Sequence, residues 1–143
     1  SGGCYHPVSA GVGFAKAQQT CADLRGGLVA SVHDNEKAAF LNDRESPHYC
    51  SIQEHSDLNF LLILNKKKYF FWIGYSKDNA GNWVWEDKVS GQIHCDSSDP
   101  FTNWDTNEPS TASISKCAYA DMSEDNLPWG AGNCNIGMPY VCE

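Results

Sequence analysis

The stretch FTNWDTNEPSTASISKCAYADMSEDNLPWGAGNCNIGMPYVC, residues 101–142, organises the rest of the chain. Asn103-Trp104 opens it and Glu108-Pro109-Ser110 follows. Cys117, Trp129 and Cys134 then punctuate a run that closes on Tyr140-Val141-Cys142. A long polar loop anchored by tryptophans and cysteines is a means of displaying side chains, the usual place for recognition on a rigid scaffold. It is not the framework of a buried catalytic cleft.

Working outward, 143 residues suffice for a single domain, 1–143, that buries about two-thirds of its unfolded surface. Apolar residues at 41% and aromatics at 12% are globular content and argue against disorder. A net charge of −8 with no basic stripe excludes a nucleic-acid binder and disfavours an anionic membrane surface. The longest apolar run, Phe60 to Leu64, is far too short to span a bilayer. The opening Ser1-Gly2-Gly3 carries no leader pattern and reads as a mature or trimmed start.

Seven cysteines, Cys4, Cys21, Cys50, Cys95, Cys117, Cys134 and Cys142, are scattered with no Cys-x-x-Cys pair. That pattern in a short acidic chain points to disulfides, and so to a secreted or ectodomain location, rather than to zinc. An odd count leaves at least one thiol free, paired between chains in a dimer, or lacking an upstream partner. His48, Cys50 and His55 fit no standard zinc spacing.

Phe14, Ala17, Cys21 and Leu24 mark one face of an amphipathic helix, which Gly26-Gly27 should end with a left-handed cap. Leu28 to Val32 is a strand-like link, and Asp34 can cap a second helix through Ala38, Phe40 and Leu41. Asp43 to Asp57 reads as loop, with a helical turn or two over Leu58 to Leu64. Tyr69 to Tyr75 is a buried strand. Asn79-Ala80-Gly81-Asn82 turns the chain, and Trp83-Val84-Trp85 returns with both tryptophans on one face. Lys116 to Asp121 and Tyr140 to Cys142 are further short strands. Helices early and antiparallel strands late imply an α+β fold.

These pieces, in this order, resemble the C-type lectin-like domain. The resemblance rests on Ala17-Gln18 before Cys21, Gly26-Gly27-Leu28, Phe71-Trp72-Ile73-Gly74 and Trp83-Val84-Trp85. It continues through Asn103-Trp104, Glu108-Pro109, Trp129 five residues before Cys134, and Pro139-Tyr140-Val141-Cys142-Glu143. It implies two helices, antiparallel strands and a long disulfide-closed loop, with Cys21 bonded to Cys142 and Cys117 to Cys134. Cys4-Tyr5 resembles the second half of an N-terminal pair, so Cys4 is the expected odd thiol and a candidate for dimerisation. Cys50 and Cys95 sit in stretches that look inserted, about 43–57 and 89–100, and are expected to bond to each other. The resemblance also suggests a cis peptide at Glu108-Pro109.

In sugar-binding members of that family, calcium is held by hard oxygen ligands and the sugar completes its coordination. Carried over, the ligand triplet is Glu108-Pro109-Ser110, the place of the family's Glu two residues before the next cysteine is taken by Ser115, and the pair after the loop tryptophan is Gly130-Ala131. One carboxylate remains. No calcium, and no cofactor of any kind, is therefore expected at this position, and no calcium-dependent mannose or galactose binding. Asp78 and Asn79 leave an auxiliary calcium open. Glu124-Asp125-Asn126 and Lys66-Lys67-Lys68 are explained equally well as solvated runs.

No Gly-x-Ser-x-Gly, His-Glu-x-x-His or phosphate-cradling glycine loop is present, so no enzyme is expected. The expectation is a non-enzymatic extracellular module whose partner is a cell-surface or secreted protein or glycan, bound through the long-loop surface. The alternative is a lectin with a rebuilt or metal-free glycan site. Asp105, Glu108, Ser110, Ser115, Asn126 and Trp129 are the expected ligand-binding residues. Of the five tryptophans, at least four are expected in the core, and Trp129 is the one expected to reach the surface.

Overall fold

A computed structural model describes residues 5–24, 27–32, 34–42, 70–86 and 101–143. Cys4, the Cys50–Cys95 bridge, His48 and His55, Leu58 to Leu64, the three lysines at 66–68 and the stretches 43–57 and 89–100 lie outside those residues. In chain order the elements are β1 (His6–Val12), α1 (Phe14–Asp23), α2 (Asn35–Asn42), β2 (Phe70–Lys77), β3 (Trp83–Trp85), β4 (Ser115–Asp121), β5 (Trp129–Asn133) and β6 (Met138–Cys142). They form the α+β fold expected from the sequence, with two corrections to the strands.

Alternation along β2 sorts the interior into two layers. Phe71, Ile73 and Tyr75 face a cluster with Ala38 and Leu41 of α2, Ala118 and Ala120 of β4, and Trp129 of β5. Phe70 and Trp72 face the other side, where Trp72 meets Phe14, Ala17 and Cys21 of α1 and Tyr140 of β6. Trp72 also donates its indole N–H to Val12 O at 2.9 Å, so its one polar atom is satisfied inside the core.

The sheet runs β1-β6-β2-β4-β5, with β3 paired to β2 outside that path. The first correction is that it is mixed: β2 and β6 lie parallel where Trp72 meets Tyr140, and every other pairing between these strands is antiparallel. The second is that β1 and β5 were not anticipated. Pro7 and Gly11 interrupt the pattern of β1, and its pairing with β6, His6 opposite Cys142 and Val8 opposite Tyr140, is entirely non-local. Trp-Gly-Ala-Gly-Asn in β5 has almost no intrinsic strand preference.

α1 buries Phe14, Ala17 and Cys21, as its spacing predicts, and its first amide donates to Cys134 O at 2.8 Å. Leu24 lies beyond the last helical turn and is 38% exposed, so it leaves the buried face. Gly26 lies outside the described residues, and Gly27 does not have the left-handed backbone of a cap. A Cβ there would stand 2.7 Å from Glu143 O and 3.1 Å from Cys21 O, so glycine allows the chain to lie against the last residue. α2 begins as read from Asp34, whose carboxylate accepts the Lys37 N–H at 2.6 Å.

The base of the molecule is closed by the C-terminal residues. Leu28 and Glu143 exchange backbone hydrogen bonds at 3.0 and 2.8 Å, which makes 28–32 the strand-like link expected. One oxygen of the Glu143 carboxylate accepts from Ser31, and the other pairs with Lys37. Burial opposes the charge on Lys37, but its contacts with Glu143 and Tyr5 outweigh that and leave its pKa above the ordinary lysine value. Cys21–Cys142 fastens α1 to β6, and Cys117–Cys134 ties β4 to the end of β5, both as the resemblance implied.

Candidate functional site

The long-loop face is assembled on the outer edge of β5. Exposed strand edges need partners for their amides and carbonyls. Residues 103–105 supply them at Trp129: its N–H donates to Asn103 O, and its carbonyl accepts from Asp105 N–H, both at 2.8 Å. The Asn103 side-chain amide reaches across the loop to the carbonyls of Asn126 and Leu127, at 2.6 and 2.9 Å. One asparagine therefore holds the two halves of the loop together.

The next outward amide on β5 belongs to Ala131, and Glu108 supplies its partner. Glu108 Oε2 accepts the Ala131 N–H at 2.9 Å and the Ser110 N–H at 2.7 Å. The Glu108-Pro109 bond is cis, as the resemblance suggested, and Asn107 before it has φ of 65°. Glu108 N–H in turn donates to Asp105 O at 3.0 Å. Asp105, Glu108 and Ser110 are thus brought together on one braced turn.

A residue the sequence reading missed completes the face. Tyr119 of β4 lies opposite Gly130 of β5. A Cβ built on Gly130 would fall 2.4 Å from both the Tyr119 Cζ and its hydroxyl oxygen. The phenol therefore fills the volume a side chain at 130 would occupy, and its ring supplies the packing that glycine lacks. Burial raises the Tyr119 pKa first, and the Glu108, Asp121 and Asp105 carboxylates raise it further, so its hydroxyl stays a protonated donor. The available signal was a tyrosine at strand period from Cys117 facing a glycine-rich run.

Other expected residues fall elsewhere. Trp129 does not reach the surface. It is 0% exposed and wedged edge-on among Trp85, Trp104 and Phe101 at 5.5 to 5.8 Å. The reason is period: Trp129 and Ala131 point into the core while Gly130 and Gly132 point to the opposite face. Its indole N–H has no hydrogen-bond partner among the described residues. Trp72 and Trp85 are also buried, and Trp83 and Trp104 pack against the same core while half-exposed. Ser115 is 7% exposed at the start of β4, leaving little of it to meet a ligand. Asn126 is exposed, and its carbonyl is taken up by the Asn103 side chain. Asp78 accepts the amides of Ala80 and Asn82 at 2.9 and 2.8 Å, shaping the β2–β3 turn. Among the described residues no three His, Cys, Asp or Glu side chains converge as a metal-binding group, and no helix is long and apolar enough to cross a membrane.

The family model for the lectin C-type domain matches residues 11–143. Regenerating islet-derived protein 3-gamma of Mus musculus is 28% identical over 110 residues, covering 70% of this chain. The chain spans only 58% of the length of that relative. Among solved structures, a lectin C-type domain from a hypothetical C. elegans protein superposes with a TM-score of 0.72 at 21% identity, covering 96% of this chain and 78% of the other. The carbohydrate-recognition domain of cow CD23, solved in the presence of a GlcNAc2Man3 oligosaccharide, gives 0.62 at 20% identity, over 96% and 84%. Both likenesses concern the fold. The chain belongs to the C-type lectin domain family, as a non-enzymatic lectin-like binding module.

Proposed function

We propose that this protein works outside the cell, binding a protein or glycan ligand through its long-loop face without calcium at the position the family uses for sugar. One observation carries the proposal. The single carboxylate of the carried-over ligand set, Glu108, is engaged with the backbone of β5 and of its own turn. A divalent cation demands several hard, charged oxygens. The other members of the set do not fit one: Gly130 and Ala131 offer no side-chain oxygen, Ser115 is buried, and Ser110 offers only a hydroxyl. The phenol of Tyr119 stands in the volume a ligand at 130 would need. The backbone bonds of Glu108 hold the loop in shape with no ion. The disulfides support an oxidising compartment.

A glycan ligand is the second reading, favoured by Tyr119. Its protonated hydroxyl, close enough to Glu108 and Asp105 to respond to their charges, offers a donor beside acceptors suited to sugar hydroxyls. A glycan array probed with and without chelator, beside a cross-linked pull-down from cell surfaces, tests both. Chelator-insensitive glycan binding weakened by Tyr119→Phe supports the metal-free lectin. A blank array with a saturable protein partner supports protein recognition. Binding that vanishes with chelator would sink both.

A further inference from the structure

The segment Pro109-Ser110-Thr111-Ala112-Ser113-Ile114-Ser115 is rich in hydroxyls and small residues beside proline, a composition associated with O-glycosylated segments. The structure separates its hydroxyls. Ser110 is half-buried, its N–H held by Glu108 and its Oγ accepting from Ala112 N–H at 3.3 Å. Ser115 is buried in β4. Ser113 lies inside the turn closed by Ser115 N–H on Ala112 O at 2.9 Å. Thr111 and Ser113 are both exposed, but Thr111 alone of the two lies ahead of that turn, on backbone outside any helix, strand or turn. Its hydroxyl has no partner among the described residues.

We infer that Thr111 is an O-glycosylation site whose glycan stands at the rim of the long-loop face. The inference rests on the extracellular reading above, which brings the chain past glycosyltransferases. In the transfer, Thr111 Oγ1 attacks the anomeric carbon of a nucleotide-activated amino sugar. The new C–O bond forms as the bond from that carbon to the donor phosphate breaks. The nucleoside diphosphate leaves, and the hydroxyl proton passes to a base of the transferase. Nothing is oxidised or reduced. A sugar there, one residue from Ser110, narrows access to Glu108 and Tyr119, so glycoforms differ in ligand binding.

The test is to send the full chain through the secretory pathway of an animal cell and measure intact mass with glycopeptide mapping. The expected result is a hexosamine-initiated mass excess that is lost in Thr111→Ala and kept in both Thr111→Ser and Ser113→Ala. A secreted, disulfide-bonded chain at its bare polypeptide mass would overturn the inference and leave the extracellular reading standing. A glycan mapped only to Thr102, Thr106 or Ser113 would overturn it equally. A chain retained inside the cell with Cys21 and Cys142 as free thiols would defeat both.

Discussion

At the base, Glu143 gives one carboxylate oxygen to Ser31 and the other to the Lys37 ammonium. On the long-loop face, Glu108 gives one oxygen to two backbone amides and meets no cation among the described residues. The first carboxylate is neutralised where the chain ends are sewn together. The second braces a turn through backbone amides, with the Asp105 carbonyl accepting its own N–H. The base uses charge pairing for closure, while the loop uses side chain-to-backbone hydrogen bonds from Asn103 and Glu108 for shape.

The disulfides should make the largest difference between the two regions. The Cys21–Cys142 bridge spans 121 residues and Cys117–Cys134 spans 17. Loop-closure entropy makes these worth about 5 and about 3 kcal/mol at most. Chemical denaturation of Cys21→Ala/Cys142→Ala should show the greater fall in midpoint. Cys117→Ala/Cys134→Ala should lose less, with faster amide exchange concentrated in 103–133. Equal losses and uniform exchange would mean the two regions are not distinct.

Tyr119 against Gly130 comes next. Gly130→Ala forces the phenol out of its place, and overpacking of this kind costs about 1–3 kcal/mol. The same change made on Tyr119→Ala should cost much less, a coupling that a double-mutant cycle in thermal or urea melts reads directly. Additive effects would remove Tyr119 from the site. Smaller still is Glu108→Ala, which leaves the amides of Ser110 and Ala131 without their acceptor at about 1–2 kcal/mol. Urea titration followed by circular dichroism would measure it, and calcium should not restore what is lost.

The smallest effect belongs to the base. Burial pushes the Glu86 carboxyl up, and the nearby Glu143 charge adds to that against hydrogen bonds from Val29 and Gln18. A carboxyl raised in the folded state favours folding while protonated. Its contribution is present below the ordinary glutamate range and is lost as pH rises through the folded value. Melting temperature should therefore drift down across that window, and Glu86→Gln should flatten the drift.

The fold was legible where side chains outnumber alternatives. Phe71, Ile73 and Tyr75 alternate, Trp83 and Trp85 share a face, and Phe14, Ala17 and Cys21 recur at helical spacing, so local pattern and tertiary burial agree. β5 was illegible because its strand character comes from outside it. Tyr119 covers its glycines on one face, while Asn103, Asp105 and Glu108 satisfy its edge. The same gap misdirected the site. With β5 taken as loop, Trp129 had no reason to face inward, and Tyr119 had no glycine to lie on. Glu108 was legible as the one remaining acid of its set, but its amide partner at Ala131 is visible only once the edge is drawn.

Titration calorimetry with calcium into millimolar concentration, on the intact chain and on Glu108→Gln, reaches the central claim most directly. With Glu108 engaged by Ala131 and Ser110, the long-loop face should give no saturable heat in either protein. Saturable binding in the intact chain that disappears in Glu108→Gln would contradict this, and would return Glu108 to the role of metal ligand.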